Sequence, residues 1–263
     1  MKKRSRLDSL FKLDLFIYKS LLVPKTLLES IKYRKARKAA KRNVELPKNE
    51  KKSDVVYICG NGPSLNKVDL NDIDCDYIVV NDFYRFQKKN PNNPPKYYLI
   101  LDDAYLWPGF EDRYEKLFDP GFETTYVITG AMKHAVERDH PDKNVYYFCP
   151  FGNLFSRNHK CDYTKVVGRS WNVVSEAIIF AMYLGYKEIR LLGCDYSVFA
   201  TTAHFYGNAG MSTTLRRMLF RYAFSTHIHY EIAECAKKRG IKIINLTKET
   251  LLDAYEIDPN SKY

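Results

Sequence analysis

ICGNGPSL, residues 58–65, follows directly on the apolar run Val55–Tyr57. A strand that passes into a turn of small residues and then a helix start is typical of phosphate-binding sites, because backbone N–H groups face the anion. The candidate ligand contacts are Gly60, Asn61, Gly62 and Ser64. The stretch is neither a Walker A motif nor a dinucleotide fingerprint, so a tight turn that holds no ligand is the alternative.

Short β-type runs alternate with helical stretches along the rest of the chain. The predicted strands are Val55–Cys59, Tyr77–Val80, Tyr97–Leu101, Thr125–Ile128, Val145–Cys149, Ile189–Leu192 and Ile241–Ile244. The predicted helices are Leu65–Asn71, Phe110–Phe118, Ala131–Arg138, Val173–Leu184, Ser212–Lys238 and Lys248–Tyr255. This alternation predicts an α/β fold with a mainly parallel sheet covered by helices on both faces. In such sheets ligands bind beyond the C-terminal ends of the strands.

Polar residues follow the second and third predicted strands. Asn81 ends the second strand, where its amide suits the edge of a nucleobase or ribose; capping of the following helix is the alternative. Asp102 follows the third strand, where a carboxylate suits a ribose hydroxyl, a metal or an acceptor sugar, or is an exposed loop acid. Asp102 and Asp103 lack the spacing of the DxD motif of many sugar transferases, and no metal is predicted.

The segment GRSWNVVSEAIIFAMYLGYKEIRLLGCDY, residues 168–196, contains a helix, a strand and polar residues at both ends. Ser170 or Asn172 is expected to cap the helix, and Arg169 before it is placed to face a phosphate or carboxylate. After the strand, Gly193 permits close approach of the backbone, and Asp195 adds a second polar strand end.

The loop TTAHFYGNAG, residues 201–210, places His204 beside two aromatic residues. Because an imidazole titrates near neutral pH, His204 is the candidate general base. A structural role is the alternative for His204, and His227 in the predicted helix Ser212–Lys238 is its rival as the base.

The net charge of +11 is concentrated at the N-terminus. Residues 1–52 contain 17 Lys or Arg and 5 Asp or Glu, a net charge of +12, whereas the other 211 residues have 25 basic and 26 acidic side chains. Pro24 is expected to separate two helices, the second of which ends near Arg42. Residues 44–54 resemble a linker. The predicted domains are therefore a basic amphipathic helical extension, 1–52, and an α/β domain, 53–263.

This extension lacks the apolar core of a signal peptide, and Lys12, Asp14 and Lys19 interrupt any membrane span. A basic amphipathic segment suits an anionic membrane surface, and a helix pair packed on the body or on a partner subunit is the alternative. No nucleic-acid motif accompanies the charge, so nucleic acid is not an expected partner. The six cysteines lack CxxC spacing and indicate a reducing compartment.

Three of these stretches together resemble glycosyltransferase family 42. They are GNGPSL after the first strand, VNDFY after the second and LGYKEIRLLGCDY late in the chain. The family comprises bacterial sialyltransferases that use CMP-sialic acid, and its relatives include flagellin-modifying nonulosonate transferases and polysaccharide-biosynthesis proteins. The resemblance covers roughly residues 54–250. It implies a single Rossmann-like domain, a variant of the GT-A fold, with a lid segment over the nucleotide.

The resemblance also implies which residues contact the nucleotide sugar. They are Gly60, Asn61, Gly62, Ser64, Asn81, Asp102, Arg169, Asn172, Gly193, Asp195 and Tyr196. His204 is the best match to the general base of the family's lid. Ser197 stands where the family has the tyrosine that stabilises the leaving phosphate, so Tyr196 or Tyr206 is expected to supply that phenol.

The function implied is inverting transfer of sialic acid or a related nonulosonate, from a CMP donor, to a glycan acceptor in surface polysaccharide or glycoconjugate synthesis. No cofactor or metal is expected. The expected partners are the donor, a glycan or lipid-linked acceptor and an anionic membrane surface contacted by residues 1–45, with a homo-oligomer left open. The expected location is cytoplasmic, peripheral on the inner face of the plasma membrane.

Two other functions remain open from the sequence. The first is a Mg/ATP phosphotransferase of the pterin pyrophosphokinase-like type, which distant relatives suggest. The second is a non-catalytic nucleotide-binding subunit of a polysaccharide complex, in which replacement of His204 would leave function intact.

Overall fold

Eight strands form one sheet in which every paired strand is parallel to its neighbour. The computed structural model describes residues 6–48, 50–90, 92–197 and 215–263. The strands are β1 (Val55–Cys59), β2 (Asp76–Val80), β3 (Tyr97–Ile100), β4 (Thr125–Thr129), β5 (Val145–Phe148), β6 (Glu188–Leu192), β7 (Lys242–Asn245) and β8 (Glu256–Ile257). The predicted α/β fold, a single domain with a mainly parallel sheet, is confirmed. The short strand β8 was not predicted.

The strand order is β5-β4-β3-β2-β1-β6-β7-β8, so the chain builds the sheet outward in two directions from its middle. β1 leads to β2 on one side, and its other neighbour, β6, leads to β7 on the opposite side. Connections that leave adjacent strands in opposite directions open a crevice beyond the strands' carboxyl ends. The segments Gly60–Ser64 and Gly193–Ser197 follow these two strands and therefore flank that crevice.

The described residues contain six α-helices, which cover both faces of the sheet. They are α1 (Arg6–Lys32), α2 (Arg34–Ala39), α3 (Glu111–Phe118), α4 (Lys133–Asp139), α5 (Val173–Tyr183) and α6 (Leu215–Lys238). Because strand side chains alternate between the two faces, the sheet has two apolar cores. One core packs Ile58 and Val80 against α1, α5 and α6, and the other packs Val79 and Ile128 against α3 and α4.

The N-terminal segment differs from its prediction. Pro24 does not break the helix, because α1 continues through it to Lys32. Leu15 and Leu22 on the inner face of α1 are buried in the core, and this packing offsets the cost of a proline inside a helix. The expected linker is also wrong over its first residues, which form a 3₁₀ helix with Leu46 buried. Residues 6–48 therefore share a core with the sheet, and the boundary at 52/53 stays a prediction.

The helix predicted over Leu65–Asn71 is replaced by two short 3₁₀ helices, Pro63–Lys67 and Leu70–Asp72. Val68 between them has an extended backbone, and the Asp69 side chain accepts a hydrogen bond from the backbone of the second helix. A side chain that caps a new turn competes with continuation of the helix before it.

The helix predicted over Lys248–Tyr255 is absent from this described stretch. The Leu251 N–H donates to the Asp195 carbonyl at 2.9 Å, and the Thr250 hydroxyl donates to the Cys194 carbonyl at 2.7 Å. The backbone and side chains here bond to the loop after β6 in place of a helical ladder. This segment therefore supports the crevice from behind.

Candidate active site

A cavity of about 250 Å³ lies in the crevice between the ends of β1 and β6. We call it the switch-point cavity. Eight of the predicted site residues line it, namely Asn61, Gly62, Asn81, Asp102, Asn172, Gly193, Asp195 and Tyr196. The strand ends that the sequence marked as candidates are thus brought together in one place.

Glycines allow the loops after β1 and β6 to touch. The N–H groups of Gly60 and Gly62 donate to the carbonyls of Leu192 and Gly193 at 2.7 and 2.8 Å. A Cβ on Gly62 would lie 2.0 Å from the Asp195 Oδ2 atom, and one on Gly193 would lie 2.7 Å from the Gly60 carbonyl oxygen. Neither position has room for a side chain, so the loop contact requires glycine.

Ser64 and Asp195 fasten the two loops together. The Ser64 N–H donates to both Asp195 carboxylate oxygens, at 3.1 and 3.3 Å, and its hydroxyl donates to Oδ2 at 2.8 Å. Ser64 and Gly60 are not among the residues that line the cavity, and their predicted contact with the nucleotide stays a prediction. Asp195 both accepts these bonds and lines the cavity.

Asn61 and Asn81 present amide atoms to the cavity. The Asn61 Nδ2 donates to the Val80 carbonyl at 3.0 Å, while its buried Oδ1 has no hydrogen-bond partner among the described residues. The Asn81 Oδ1 accepts from the Leu101 N–H at 3.2 Å, so it does not cap the 3₁₀ helix that follows. A buried acceptor without a partner costs free energy, and a ligand that donates to Asn61 would recover it.

Asp102 and Asn172 each cap the start of a helix and also line the cavity. The Asn172 Oδ1 accepts from the Val174 N–H at 2.7 Å, which confirms that Asn172 caps α5. The Asp102 Oδ1 accepts from the Ala104 N–H at 3.0 Å and begins a short 3₁₀ helix. These bonds fix both side chains, so a ligand meets a preformed wall.

A charged cluster that was not predicted from the sequence lies on the same wall. Asp82 is buried, accepts from the Tyr105 hydroxyl at 2.7 Å and forms an ion pair with Arg113. Arg113 lies 5.1 and 5.3 Å from the ring centres of Phe110 and Tyr105, and it is the only Lys or Arg among the described residues that line this cavity. The one local indication of this cluster in the sequence is Asp82, next to Asn81. Its partner Arg113 lies 31 residues later, so the ion pair depends on the fold.

Arg169 lies on a second cavity, of about 540 Å³, and not on the first. We call it the α1 cavity, because Tyr18, Leu22 and Lys25 of α1 contribute to its wall. Arg169 forms an ion pair there with Glu29 of α1. Its predicted contact with the nucleotide stays a prediction. The two cavities share Asn81, Asp102, Asn172 and Val173.

Strained backbone is concentrated on these two cavities. In the described part of the chain, the non-glycine residues with positive φ are Asn81 at 42°, Tyr196 at 58° and Trp171 at 60°. Such strain persists where the surrounding structure imposes it, which occurs most often at functional sites. Burial raises the pKa of Tyr196, so its phenol stays protonated and able to donate at neutral pH.

The predicted catalytic residues His204 and Tyr206, and the lid that was expected to carry them, lie outside the described residues. Their roles stay predictions. The rival base, His227, is on α6 and does not line either cavity. Burial lowers the pKa of His227, which favours the neutral ring.

His229 is the histidine that does line the switch-point cavity in the part of the chain that the structure describes. Both of its ring nitrogens are engaged, one with the Ser175 hydroxyl at 3.0 Å and the other with the Tyr255 hydroxyl at 2.8 Å. Burial lowers the pKa of His229 to about 3. The ring is therefore neutral and locked, which suits a packing role.

Neither a metal cluster nor a membrane span is found within residues 6–48, 50–90, 92–197 and 215–263. No three or more His, Cys, Asp or Glu side chains there are grouped to hold a metal ion. No helix in these ranges is both long and apolar enough to cross a bilayer. Metal-independent chemistry and a peripheral location remain predictions.

Comparison with known proteins gave matches among solved structures. The monofunctional α-2,3-sialyltransferase Cst-I from Campylobacter jejuni shares 15% identity with the chain at a TM-score of 0.48, covering 81% of this chain and 82% of that one. The sialyltransferase CstII from Campylobacter jejuni, in complex with cytidine-5′-monophosphate, shares 18% identity at a TM-score of 0.47, covering 78% and 85%. The same enzyme with CMP-3FNeuAc shares 19% identity at 0.47, covering 80% and 86%.

No family model and no curated protein matches the chain. The matched structures are of sialyltransferases, the class of protein that the sequence motifs resemble.

Proposed function

We propose that the chain is an inverting glycosyltransferase that moves sialic acid or a related nonulosonate from a CMP donor to a glycan or lipid-linked acceptor. The observation that supports this most directly is the switch-point cavity, where amide groups and close-packed glycine loops meet beyond β1 and β6. The CMP donor is what the motif resemblance implies.

The neutral amides on one side of the cavity suit the nucleoside. The unpaired Asn61 Oδ1 accepts from an amino or hydroxyl group of the ligand, and the Asn81 amide lies beside it at the end of the next strand. The nearby N–H groups of Gly60 and Gly62 are already bonded to the loop after β6. The glycines therefore shape the floor, and the side-chain amides provide recognition.

The leaving phosphate requires donors that do not move as charge develops on it. Arg113 is held between two rings and by Asp82, and Tyr196 is fixed by a hydrogen bond of 3.2 Å with Thr226. Fixed donors in a partly dry cavity stabilise developing charge without reorganising. Arg113 and Tyr196 are therefore the proposed stabilisers, and Tyr196 takes the place of the family tyrosine that Ser197 replaces.

The acceptor hydroxyl must lose a proton as it attacks the anomeric carbon. His204 is the proposed base, because His229 is locked and neutral and His227 lies off both cavities. Tyr206, two residues from His204, is the second proposed catalytic side chain. The reaction proposed needs no metal.

The outer face of α1 supports a membrane-surface role. Its apolar side chains Leu13, Phe16, Ile17, Leu21, Val23, Leu27, Leu28 and Ile31 are 46–75% exposed. They recur at spacings of one to four residues, opposite the buried Leu15 and Leu22. A helix with apolar side chains on opposite faces is expected to bury both of those faces. The net charge of +12 in residues 1–52 favours anionic lipid as the occupant of the outer face.

Ligand-dependent unfolding tests the proposed donor. We expect CMP to raise the melting temperature more than UDP, GDP or ATP does, because a ligand at about 100 times its Kd stabilises by about 2.7 kcal/mol. Release of CMP from CMP-N-acetylneuraminic acid, measured with a panel of glycan and lipid-linked acceptors, then tests catalysis. A preference for ATP with Mg²⁺ would instead favour the phosphotransferase, and CMP binding without transfer would favour the non-catalytic subunit.

Vesicle sedimentation tests the membrane surface without removing α1, whose inner face is part of the core. The double variant Leu21→Gln and Leu28→Gln should bind phosphatidylserine vesicles at least about tenfold more weakly than the unmodified chain. Leu251→Gln is the control, because Leu251 is also more than half exposed but lies far along the chain after β7. Vesicle binding that does not weaken as the salt concentration rises, or an equal loss of binding in the control variant, would contradict this proposal.

A further inference from the structure

We infer that the α1 cavity binds the phosphate of a lipid-linked acceptor, an inference that rests on the proposed glycosyl transfer. The cavity shares Asn81, Asp102, Asn172 and Val173 with the switch-point cavity. A sugar joined to a phosphate in the second cavity therefore lies next to the donor in the first. The volume of about 540 Å³ has room for a phosphorylated sugar.

The charge on the wall of the α1 cavity favours an anion. Three cations, Lys25, Arg169 and Arg221, line it, with Asp102 as the one carboxylate among its described lining residues. Arg169 is largely neutralised by Glu29, but its buried Nε has no hydrogen-bond partner in the described ranges. Lys25 and Arg221 have exposed side chains. The Lys25 Nζ lies 3.9 Å from the Glu29 Oε1 atom, and so long an ion pair at an exposed lysine leaves its ammonium group accessible to a ligand.

Exposed apolar side chains flank both available cations. On α1, Leu21 and Leu28 precede and follow Lys25 by about one turn and are 67% and 69% exposed. On α6, Phe220 directly precedes Arg221 and is also more than half exposed. A soluble phosphosugar would meet only the cations. In a lipid phosphate, the headgroup would contact the cations and the lipid chain would lie along these apolar side chains. A lipid-linked ligand therefore accounts for both the charge and the exposed apolar surface.

Trp171 gives the cavity a rigid aromatic wall. Its backbone has a φ of 60°, and its ring lies 5.6 Å from the Tyr18 ring and 5.9 Å from the Phe224 ring. The aromatic contacts join α1, the loop before α5 and α6, three of the segments that line the cavity. Because Trp171 is on the wall, its fluorescence reports directly on occupancy.

Tryptophan fluorescence provides the test, since the chain has two tryptophans and Trp107→Phe leaves Trp171 alone. Titration with farnesyl diphosphate should change the signal saturably, and inorganic pyrophosphate and farnesol should each bind at least about tenfold more weakly. Lys25→Gln or Arg221→Gln should weaken farnesyl diphosphate binding by about tenfold or more, because each removes a charged contact. Arg216→Gln is the matched control on the exposed surface of α6.

CMP-dependent melting of each variant separates this inference from the proposed function. CMP should stabilise the Lys25 and Arg221 variants as it stabilises the parent chain. If CMP binds but farnesyl diphosphate leaves the Trp171 signal unchanged, the acceptor inference is wrong while the donor site stands. If pyrophosphate binds as tightly as farnesyl diphosphate, the site takes a phosphate without a lipid and the inference is also overturned. If CMP itself does not bind, the proposed function fails first.

Discussion

The two cavities share part of their walls but differ in the groups that line them. The switch-point cavity is closed by backbone contacts between loops, with a Gly62–Gly193 hydrogen bond of 2.8 Å at its centre and polar side chains each fixed by a neighbour. The α1 cavity is lined by side chains from α1, α6 and the loop before α5 together with residues at strand ends, and it includes the long cations Lys25 and Arg221. The first has a defined shape, whereas the second has charge and adaptable side chains.

This difference matches two tasks in a transfer reaction. A nucleotide that is common to every turnover is best held by a rigid site whose groups lose little entropy on binding. An acceptor that ends in a flexible chain is better met by exposed, mobile cations and an apolar surface. Variants that alter one cavity alone therefore test whether the donor and the acceptor bind in separate cavities.

The largest effect is expected at the proposed base, His204, which is assigned to the transfer step and to neither binding site. His204→Ala should lower the rate of transfer by about 10²–10⁴-fold, the range expected for loss of a general base. CMP binding should stay near that of the parent chain, because the imidazole is assigned to the acceptor proton. Initial rates with saturating donor, together with CMP-dependent melting, provide the measurement.

His227→Ala is the control for that experiment. His227 lies on α6 and away from both cavities, so the variant should transfer at close to the parent rate. An inactive His227 variant beside an active His204 variant would show that the base has been assigned to the wrong histidine.

A smaller effect is expected where the rigid cavity depends on close backbone contact. A Cβ at position 62 would lie 2.0 Å from the Asp195 carboxylate, so Gly62→Ala must move one of the two loops. We expect transfer to fall about 100-fold, since a displacement near 1 Å has effects of this size, and stability to fall by about 1–3 kcal/mol. Gly121→Ala is the control, because it has a positive φ but nothing near its Cβ. It should lose stability and keep its transfer rate.

The rigid cavity was largely predictable from sequence, whereas the α1 cavity was not. Asn61, Asn81 and Gly193 follow strands, and in a parallel sheet strand order places such residues at one edge. The α1 cavity instead is lined by Lys25 and Arg221, which lie far apart in the chain, and this arrangement depends on α1 continuing through Pro24. A local rule says that proline ends a helix, and burial of two leucines overrides it here.

The missed cation Arg113 offers a test that stays within the rigid cavity. Arg113→Lys keeps a positive charge beside the buried Asp82 but loses the planar group packed against Phe110 and Tyr105. Affinity for CMP should fall by about tenfold, the scale of one charge-assisted contact. Isothermal titration with CMP measures it, and Lys116→Arg, on the exposed part of α3, is the control. Equal binding of cytidine and CMP by the parent chain would contradict a phosphate role for Arg113.

The smallest expected effect concerns a buried carboxyl group behind the α1 cavity. Glu176, buried in the first turn of α5, accepts hydrogen bonds from the Ser170 hydroxyl at 2.6 Å and from Tyr163, and Ser170 lines the α1 cavity. Burial raises the pKa of Glu176 to about 7, although these hydrogen bonds oppose the rise. The folded state therefore holds a proton that the unfolded chain has already released near pH 4.5.

Because the folded pKa is the higher one, the contribution of Glu176 to stability is greatest at low pH and falls as the pH rises through about 7. Between pH 6 and pH 8 this group alone should reduce the free energy of unfolding by about 1.4 kcal/mol, the equivalent of one pKa unit. Glu176→Gln cannot ionise, so urea unfolding of that variant should lose this part of the pH dependence, while the exposed Glu249→Gln should retain it. If the Glu176 variant keeps the full slope, the proton is held by another group. A loss of slope accompanied by unchanged CMP binding and altered Trp171 fluorescence would place the effect at the α1 cavity.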